Sequence, residues 1–179
     1  MTSYIAFLRA INVGGHNVKM DVLRALFEEL AYTGVETYIA SGNVVFDAHS
    51  GATRKLESRI SEHLHQALGY EVACFIRTRA ELAGIISYQA FSAAIMDRAG
   101  AFSVALLAGP LSKDAKQALD SLKTEVDDFV VHGREVYWLC KTRQSESKFS
   151  NKVFEKSLGV KTTFRGIRTL QRLVAKYPV

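Results

Sequence analysis

The glycine loop, residues 9–19, contains residues suited to binding an anion. Gly14 and Gly15 allow positive φ angles and a close approach of the backbone to a ligand, and consecutive N–H groups in such a turn can surround an anion. Arg9 and Lys19 flank the glycines and would add charge-assisted hydrogen bonds. The loop is neither a P-loop, because no Gly-Lys-Ser/Thr follows, nor a dinucleotide fingerprint, because a third glycine is missing. Its glycines would equally suit a structural connection that needs them for its turns.

A second polar group, Ser41-Gly42-Asn43, lies between two β-rich runs, Glu36 to Ala40 and Val44 to Phe46. A short connection that contains Gly and Asn predicts a β-hairpin at this place. The side chains of Ser41 and Asn43 are candidates to orient a bound ligand by hydrogen bonds.

Few residues suggest acid–base, redox or metal chemistry. His16 lies in the glycine loop and is the candidate acid–base group. Cys74 and Cys140 each lie in an apolar, strand-like run, which predicts two buried, reduced thiols. No Cys or His spacing indicates a metal site, and we expect no metal and no cofactor.

The positive charge of the chain is concentrated at its end. Residues 141–179 contain ten Lys or Arg and two acidic residues, a net of +8, whereas residues 1–140 contain thirteen against sixteen, a net of −3. Lys148, Lys152 and Lys156 are four residues apart and would share one face of a helix predicted from Lys148 to Leu158. This face is either solvated or binds the phosphates of RNA or DNA, although no aromatic ladder or known RNA motif accompanies it.

The hydrophobic pattern predicts the elements that position these residues, and it predicts them twice. Each copy has the order β-α-β-β-α-β followed by one more helix. The first copy occupies residues 1–92 and the second residues 100–179. This order is typical of the split β-α-β motif. The predicted fold class is therefore α+β: an internal duplication of two ferredoxin-like halves, each with an extra C-terminal helix.

The predicted topology brings the two polar loops together. In a split β-α-β sheet the first strand lies beside the third and antiparallel to it, so the end of the first strand is next to the start of the third. We therefore expect the glycine loop and Ser41-Gly42-Asn43 to share one edge of the first sheet.

The composition also excludes several classes of protein. No run reaches the roughly 18–20 apolar residues that a membrane-spanning helix needs, and the first residues lack the regions of a secretory signal. We therefore expect a cytoplasmic protein with no membrane partner. The sequence predicts no particular oligomeric state.

Three motifs resemble the domain of unknown function 1697 family of bacterial proteins. They are Arg9-Ala10-Ile11-Asn12-Val13-Gly14-Gly15 with Met20 after it, Thr37 to Phe46, and the diverged Thr163-Phe164-Arg165-Gly166-Ile167-Arg168-Thr169. The family pattern has glycine at the place of Ala10, and Asn, Trp and Asn at the places of Gly166, Ile167 and Arg168. The resemblance implies two ferredoxin-like halves but no established reaction or cofactor. It implies that one group of residues forms a single site: Arg9, Asn12, Gly14, Gly15, Ser41, Gly42, Asn43, Arg165 and Thr169.

These observations favour a protein that binds a small phosphorylated or otherwise anionic ligand. Arg9, Lys19 and Arg165 would supply positive charge, and the hydrogen bonds would come from Asn12, Ser41, Asn43 and Thr169. One alternative is an enzyme, a transferase or hydrolase, that uses the same cleft with His16 or Ser41. The other is binding of RNA or DNA through Lys148, Lys152 and Lys156.

Overall fold

The structure is a computed structural model that describes residues 1–39 and 42–179. The chain forms two compact units. Unit 1 comprises Met1–Ala83 and Leu173–Val179, and unit 2 comprises Gly84–Arg172. The predicted domain ranges, 1–92 and 100–179, stay a prediction. Every helix of the described residues is too short or too polar to cross a lipid bilayer.

Unit 1 is built on one antiparallel sheet. Its elements are β1 (Thr2–Leu8), α1 (Met20–Glu28), β2 (Thr33–Tyr38), β3 (Asn43–Ala48), α2 (Thr53–Leu68), β4 (Cys74–Thr78) and the start of α3 (Arg79–Ser87). The strand order is β2-β3-β1-β4. β1 is therefore central and pairs antiparallel with both β3 and β4.

The core of unit 1 lies between the sheet and its two long helices. Leu23, Leu26 and Phe27 recur at the helical spacing on α1 and are buried. Ile60 and Leu64 are the corresponding buried residues of α2. Alternate residues of the strands face this layer, because side chains of a strand point to opposite faces in turn; they include Tyr4, Ala6, Leu8, Val44, Phe46, Cys74 and Ile76.

Unit 2 repeats this arrangement. Its elements are α4 (Ala93–Met96), β5 (Ala101–Leu106), α5 (Lys113–Asp120), β6 (Asp127–His132), β7 (Glu135–Cys140), α6 (Asn151–Leu158), β8 (Thr163–Gly166) and α7 (Ile167–Lys176), whose last residues belong to unit 1. The strand order is β6-β7-β5-β8. Apart from the four-residue α4, both halves have the order β-α-β-β-α-β-α, which confirms the predicted fold class.

Short-range sequence signals mark the ends of several helices. The spacing of Thr78 and Glu81 predicts a capping box before α3, and the structure confirms it: the amide of Thr78 donates to Glu81 at 2.8 Å, and the amide of Glu81 donates to the Thr78 hydroxyl at 3.1 Å. Ser112 caps α5 by accepting from the amide of Ala115. The two cysteines, Cys74 and Cys140, are free and buried as predicted.

The helix predicted from Lys148 begins three residues later. Ser150 is the N-cap of α6, because its hydroxyl accepts from the amide of Val153 at 3.2 Å. Ser147 donates its hydroxyl to the carboxylate of Asp127 at 2.8 Å. This bond holds the residues that precede α6 outside the helix. Lys148 therefore lies before α6, and the prediction that it shares a helical face with Lys152 and Lys156 is wrong.

Two strands also begin later than predicted. The apolar run from Tyr70 to Ile76 predicts a strand over those residues, but the strand is Cys74–Thr78. The β-branched residues from Val160 to Arg165 predict another, but that strand is Thr163–Gly166. In the first case the hydroxyl of Tyr70 donates to the carbonyl of Ile11 at 2.8 Å, outside the sheet.

Asp127 is a buried acceptor that ties three parts of unit 2 together. It is 4% exposed. Its carboxylate accepts from Trp138 Nε1 at 2.8 Å, from the Ser147 hydroxyl at 2.8 Å and from the Thr124 hydroxyl at 3.4 Å. Hydrogen bonds to a charged group are stronger than neutral ones, and a buried donor left without an acceptor is costly.

We expect Asp127→Ala to lower the free energy of unfolding by about 2–4 kcal/mol, because it leaves the buried indole N–H of Trp138 without an acceptor. Urea denaturation followed by circular dichroism measures this. The matched control is Asp128→Ala, which removes a carboxylate that is 46% exposed and 3.6 Å from Lys123 and should cost less than about 1 kcal/mol. Equal losses in the two variants would contradict the role given to Asp127.

Candidate functional site

The glycine loop is held in one conformation by side chains. Asn12 Oδ1 accepts from the amide of Val18 at 2.7 Å and closes the loop. The hydroxyl of Tyr70 donates to the carbonyl of Ile11 at 2.8 Å. The ring of His16 stacks on the ring of Tyr70, with centroids 3.7 Å apart and planes 14° apart. Tyr70 thus holds the loop at two points, a role that its distance along the chain hides from sequence patterns.

The tip of the glycine loop presents backbone amides to solvent. Gly14 and Gly15 have φ angles of 70° and 88° and are exposed. The amide of His16 donates to the carbonyl of Val13 at 3.4 Å, which closes a turn. Among the described residues, the amides of Gly14 and Gly15 have no hydrogen-bond acceptor. These two glycines therefore provide exposed donors and the positive φ angles that a turn of this kind needs.

The glycine loop lies at the start of β3, as the topology predicts. The amide of Leu8 donates to the carbonyl of Gly42 at 2.8 Å. Asn43 is the first residue of β3, pairs with Phe7 of β1 and is fully buried. Its Nδ2 donates to the carbonyl of Tyr38 at 3.0 Å, which ties β3 to the end of β2. Ser41, the third member of the predicted group, lies outside the described residues.

Glycine is required at position 42 because the start of β3 lies very close to Ile11 and Leu8. The φ angle of Gly42 is 78°, and a Cβ there would lie 2.8 Å from Ile11 Cγ2 and 3.1 Å from Leu8 Cβ. A Cβ at Gly14, by contrast, would have no heavy atom beyond its chain neighbours within 4 Å. Gly42 therefore lets the start of β3 pack against the beginning of the glycine loop.

The two cations that flank the glycine loop are placed differently. Arg9 follows β1, is partly buried, and donates its amide to the carbonyl of Ala73 at 2.8 Å. Lys19 is the exposed residue that precedes α1, and its side chain makes no capping hydrogen bond. The backbone at Arg9 is fixed by this bond to the residue before β4, whereas Lys19 is an exposed residue at the start of a helix.

Arg165 and Thr169, the remaining members of the predicted site, belong to unit 2. Arg165 is 8% exposed. Its Nη1 donates to the Thr163 hydroxyl at 2.7 Å and to the carbonyl of Phe164 at 2.9 Å. Burial lowers the pKa of the guanidinium to about 10, so it stays protonated at neutral pH. Thr169 is partly exposed in the first turn of α7.

A second buried arginine, which the sequence analysis missed, occupies the equivalent place in unit 1. Arg77 of β4 pairs with Ile5 of β1, as Arg165 of β8 pairs with Val104 of β5. Arg77 Nη1 donates to the carbonyl of the residue before it, Ile76, at 2.8 Å, which is the contact that Arg165 also makes. The repetition indicates that an arginine at this place serves the architecture of each half.

Lys152 and Lys156 are exposed on α6, and Lys148 is exposed before it. The row of cations on the helix is therefore two lysines long. Binding of RNA or DNA by these residues stays a prediction.

A polar cluster in unit 1 joins β2 to the end of the chain. The Tyr177 hydroxyl donates to Glu36 Oε2 at 2.6 Å, and Lys176 Nζ lies 3.4 Å from the same oxygen. Lys176 Nζ is also 4.9 Å from the centroid of the Tyr177 ring. The hydrogen bond from Tyr177 lowers the pKa of the Glu36 carboxyl. The sequence carries no sign of this cluster, because Glu36 is more than 100 residues away from Lys176 and Tyr177.

Comparison with protein families shows to which family the chain belongs. Residues 1–137 match the model of a family described as "Protein of unknown function (DUF1697)". The chain belongs to this family. The match includes the motifs at Arg9–Gly15 and Thr37–Phe46 and ends before Thr163–Thr169. No curated protein matches the chain.

The fold of this family member is similar to that of a solved bacterial protein. "Conserved bacterial protein SP0830" from Streptococcus pneumoniae is 20% identical, with a TM-score of 0.66 and 98% of each chain covered. At this identity the likeness concerns the fold alone.

The structure explains one departure from the family pattern. Ala10 stands where that pattern has glycine, and its φ angle is 55°. An L-residue in this left-handed region is strained, whereas glycine is not. The glycine of the pattern is therefore accounted for by the turn that leads from β1 into the glycine loop.

A pair of glycine substitutions separates backbone strain from close packing. We expect Gly14→Ala to lower the free energy of unfolding by about 1–2 kcal/mol, because only the positive φ angle opposes it. Gly42→Ala should cost a further 1–3 kcal/mol, roughly the cost of overpacking, because its Cβ meets Ile11 and Leu8. Chemical denaturation of both variants measures the difference, and equal losses would show that the approach at Gly42 relaxes freely.

Tyr177→Phe should raise the pKa of the Glu36 carboxyl towards its ordinary value, because the hydrogen bond that lowers it is lost. The lowered pKa in the folded protein means that the contribution of Glu36 to stability is present above its unfolded-state pKa. That contribution is lost as the pH falls through the folded-state pKa. NMR titration of the Glu36 carboxyl carbon measures the shift. Tyr38→Phe, which keeps the Tyr177 hydroxyl, is the control and should leave that pKa unchanged.

Proposed function

We propose that the protein binds a small phosphorylated ligand at the glycine loop. The observation that carries this proposal is the pair of exposed amides at Gly14 and Gly15, which have no acceptor among the described residues. Successive backbone N–H groups in a turn can form a concavity that binds phosphate oxygens. Because Asn12 and Tyr70 already hold the loop, little conformational entropy is lost on binding.

The charged groups of the site complement these amides. Arg9 and Lys19 flank the loop, and a phosphate near the tip would gain charge-assisted hydrogen bonds from such side chains. The exposed Lys19 and the start of α1 both favour negative charge, since the N-terminal end of a helix carries partial positive charge. The ring of His16, held on Tyr70, adds a flat surface beside the amides.

The asparagines contribute by shaping the site. Asn12 Oδ1 and Asn43 Nδ2 are engaged by the backbone at Val18 and Tyr38, so their first role is to position the loop and the start of β3. Direct contacts from Ser41, Arg165 and Thr169 to the ligand stay predictions.

Binding is better supported than catalysis. Among the described residues, the His16 side chain has a ring contact with Tyr70 and no hydrogen-bond partner. A general base is normally oriented by a second polar group. The transferase or hydrolase alternative therefore has no support from the geometry at His16.

The proposal predicts that phosphate compounds stabilise the protein through Arg9 and Lys19. We would measure the melting temperature and then the affinity with pyrophosphate, tripolyphosphate, AMP and glucose 6-phosphate. At least one should bind, and Arg9→Ala or Lys19→Ala should weaken it by about tenfold or more, since a hydrogen bond to a charged group contributes about 1.5–3 kcal/mol.

Arg24→Ala is the matched control, because Arg24 is an exposed cation of α1 paired with Glu28. It should leave the affinity unchanged. If no compound binds, or if all three variants bind equally well, the glycine loop is not the site.

A further inference from the structure

Unit 2 contains a cavity that the sequence analysis did not indicate. Its volume is about 350 Å³, at the lower end of the roughly 300–1,000 Å³ typical of small-molecule sites. The cavity lies beside the segment between α3 and β5. The side chains that characterise it are Tyr88, Gln89, Phe91, Met96, Phe102 and Gln171.

The wall of this cavity is aromatic and firmly held. Phe91 and Phe102 meet edge to face, with centroids 5.9 Å apart and planes 80° apart. The Tyr88 ring stacks on His132, with centroids 3.9 Å apart. The Tyr137 hydroxyl donates to the carbonyl of Ile85 at 2.9 Å and fixes the end of α3 from which this segment departs. A wall with these contacts is preformed, which reduces the entropy lost when a ring packs on it.

The polar side chains that line the cavity are uncharged: they are the hydroxyls of Ser87 and Tyr88 and two glutamine amides. Gln89 and Gln171 both line it and are exposed. Among the described residues, neither side chain has a hydrogen-bond partner. A glutamine amide offers both an acceptor and two donors, so two of them suit a ligand whose edge carries both kinds of group. None of the described residues that line the cavity is charged, and such a lining favours an uncharged ligand because it offers an ion no partner.

We propose that this cavity binds an uncharged, planar heteroaromatic molecule of one or two rings with hydrogen-bonding groups on its edge. Phe91, Phe102 and Tyr88 offer aromatic faces and edges for ring packing. Met96 adds a polarizable thioether, which makes favourable contacts with aromatic rings. The two glutamines bind the edge. This site lies within unit 2 and does not depend on the phosphate site proposed for unit 1.

The first experiment is an NMR titration of the full-length protein with nicotinamide, uracil and adenine. At least one should shift amide signals of residues 86–102 and 167–171 in a saturable way. Cyclohexanecarboxamide is the matched probe for nicotinamide, because it keeps the amide and lacks the aromatic ring. Where nicotinamide binds, we expect this probe to bind at least about tenfold more weakly. Absence of saturable shifts with all three heterocycles, or equal affinity for the matched pair, would overturn the proposal.

The second experiment uses variants with the probe that binds best. Gln171→Leu removes one edge contact and Phe102→Leu removes one ring while keeping an apolar side chain. Each should weaken binding by about fivefold or more. Gln117→Leu, an exposed glutamine of α5 away from the cavity, is the control and should bind like the unmodified protein. Unchanged affinity in both cavity variants, with melting curves that show them folded, would place the probe elsewhere.

Discussion

The antiparallel pairing of β1 with β3 and β4 determines where the glycine loop can lie. β1 ends between the first residues of its two neighbours, so the chain leaves the sheet with its backbone already bonded on both sides. The amide of Leu8 donates to the carbonyl of Gly42, and the next amide, that of Arg9, donates to the carbonyl of Ala73. A shift of one residue in this register would turn every side chain of β1 to the other face. The position of the candidate phosphate site is therefore a consequence of strand register.

The second half repeats two stabilising contacts of the first half at equivalent places. A glutamate from the second helix of each half accepts an amide near the last strand: Glu57 from Ile76 at 2.8 Å, and Glu155 from Thr162 at 3.0 Å. The last strand of each half lies at an edge of its sheet, where backbone groups need partners from outside the ladder. In both halves, a carboxylate from a helix thus accepts a backbone amide in or next to the edge strand, although the sequences of the two halves show no evident identity.

The buried arginines extend this equivalence and change how Arg165 is understood. The family-like motif at Thr163–Thr169 made Arg165 a candidate ligand residue, but Arg77 has the same register and the same bond to the preceding carbonyl. A feature present in both halves is explained first by the fold that they share. The exposed amides at Gly14 and Gly15 belong to the first half, and the chain has no second pair of adjacent glycines.

The sequence predicted the parts of this fold that depend on neighbouring residues. The capping box of Thr78 and Glu81 and the order of elements follow from local patterns and hydrophobic periodicity. The start of α6 was misplaced because it depends on a bond between Ser147 and Asp127, which are twenty residues apart. The role of Tyr70 in the glycine loop was missed for the same reason. Local signals predict elements, whereas the conformation of a site is set by contacts between distant residues.

The basic end of the chain shows why net charge is a weak guide to a ligand. Arg165 is buried in a strand, Lys176 pairs with Glu36, and Lys152 and Lys156 are exposed on a helix that does not include Lys148. A cation that is buried or paired contributes less to attracting a polyanion than one free to replace counterions. Fixed groups are the better guide: successive exposed amides in a turn favour phosphate oxygens, and an aromatic cavity with neutral amides favours an uncharged ring.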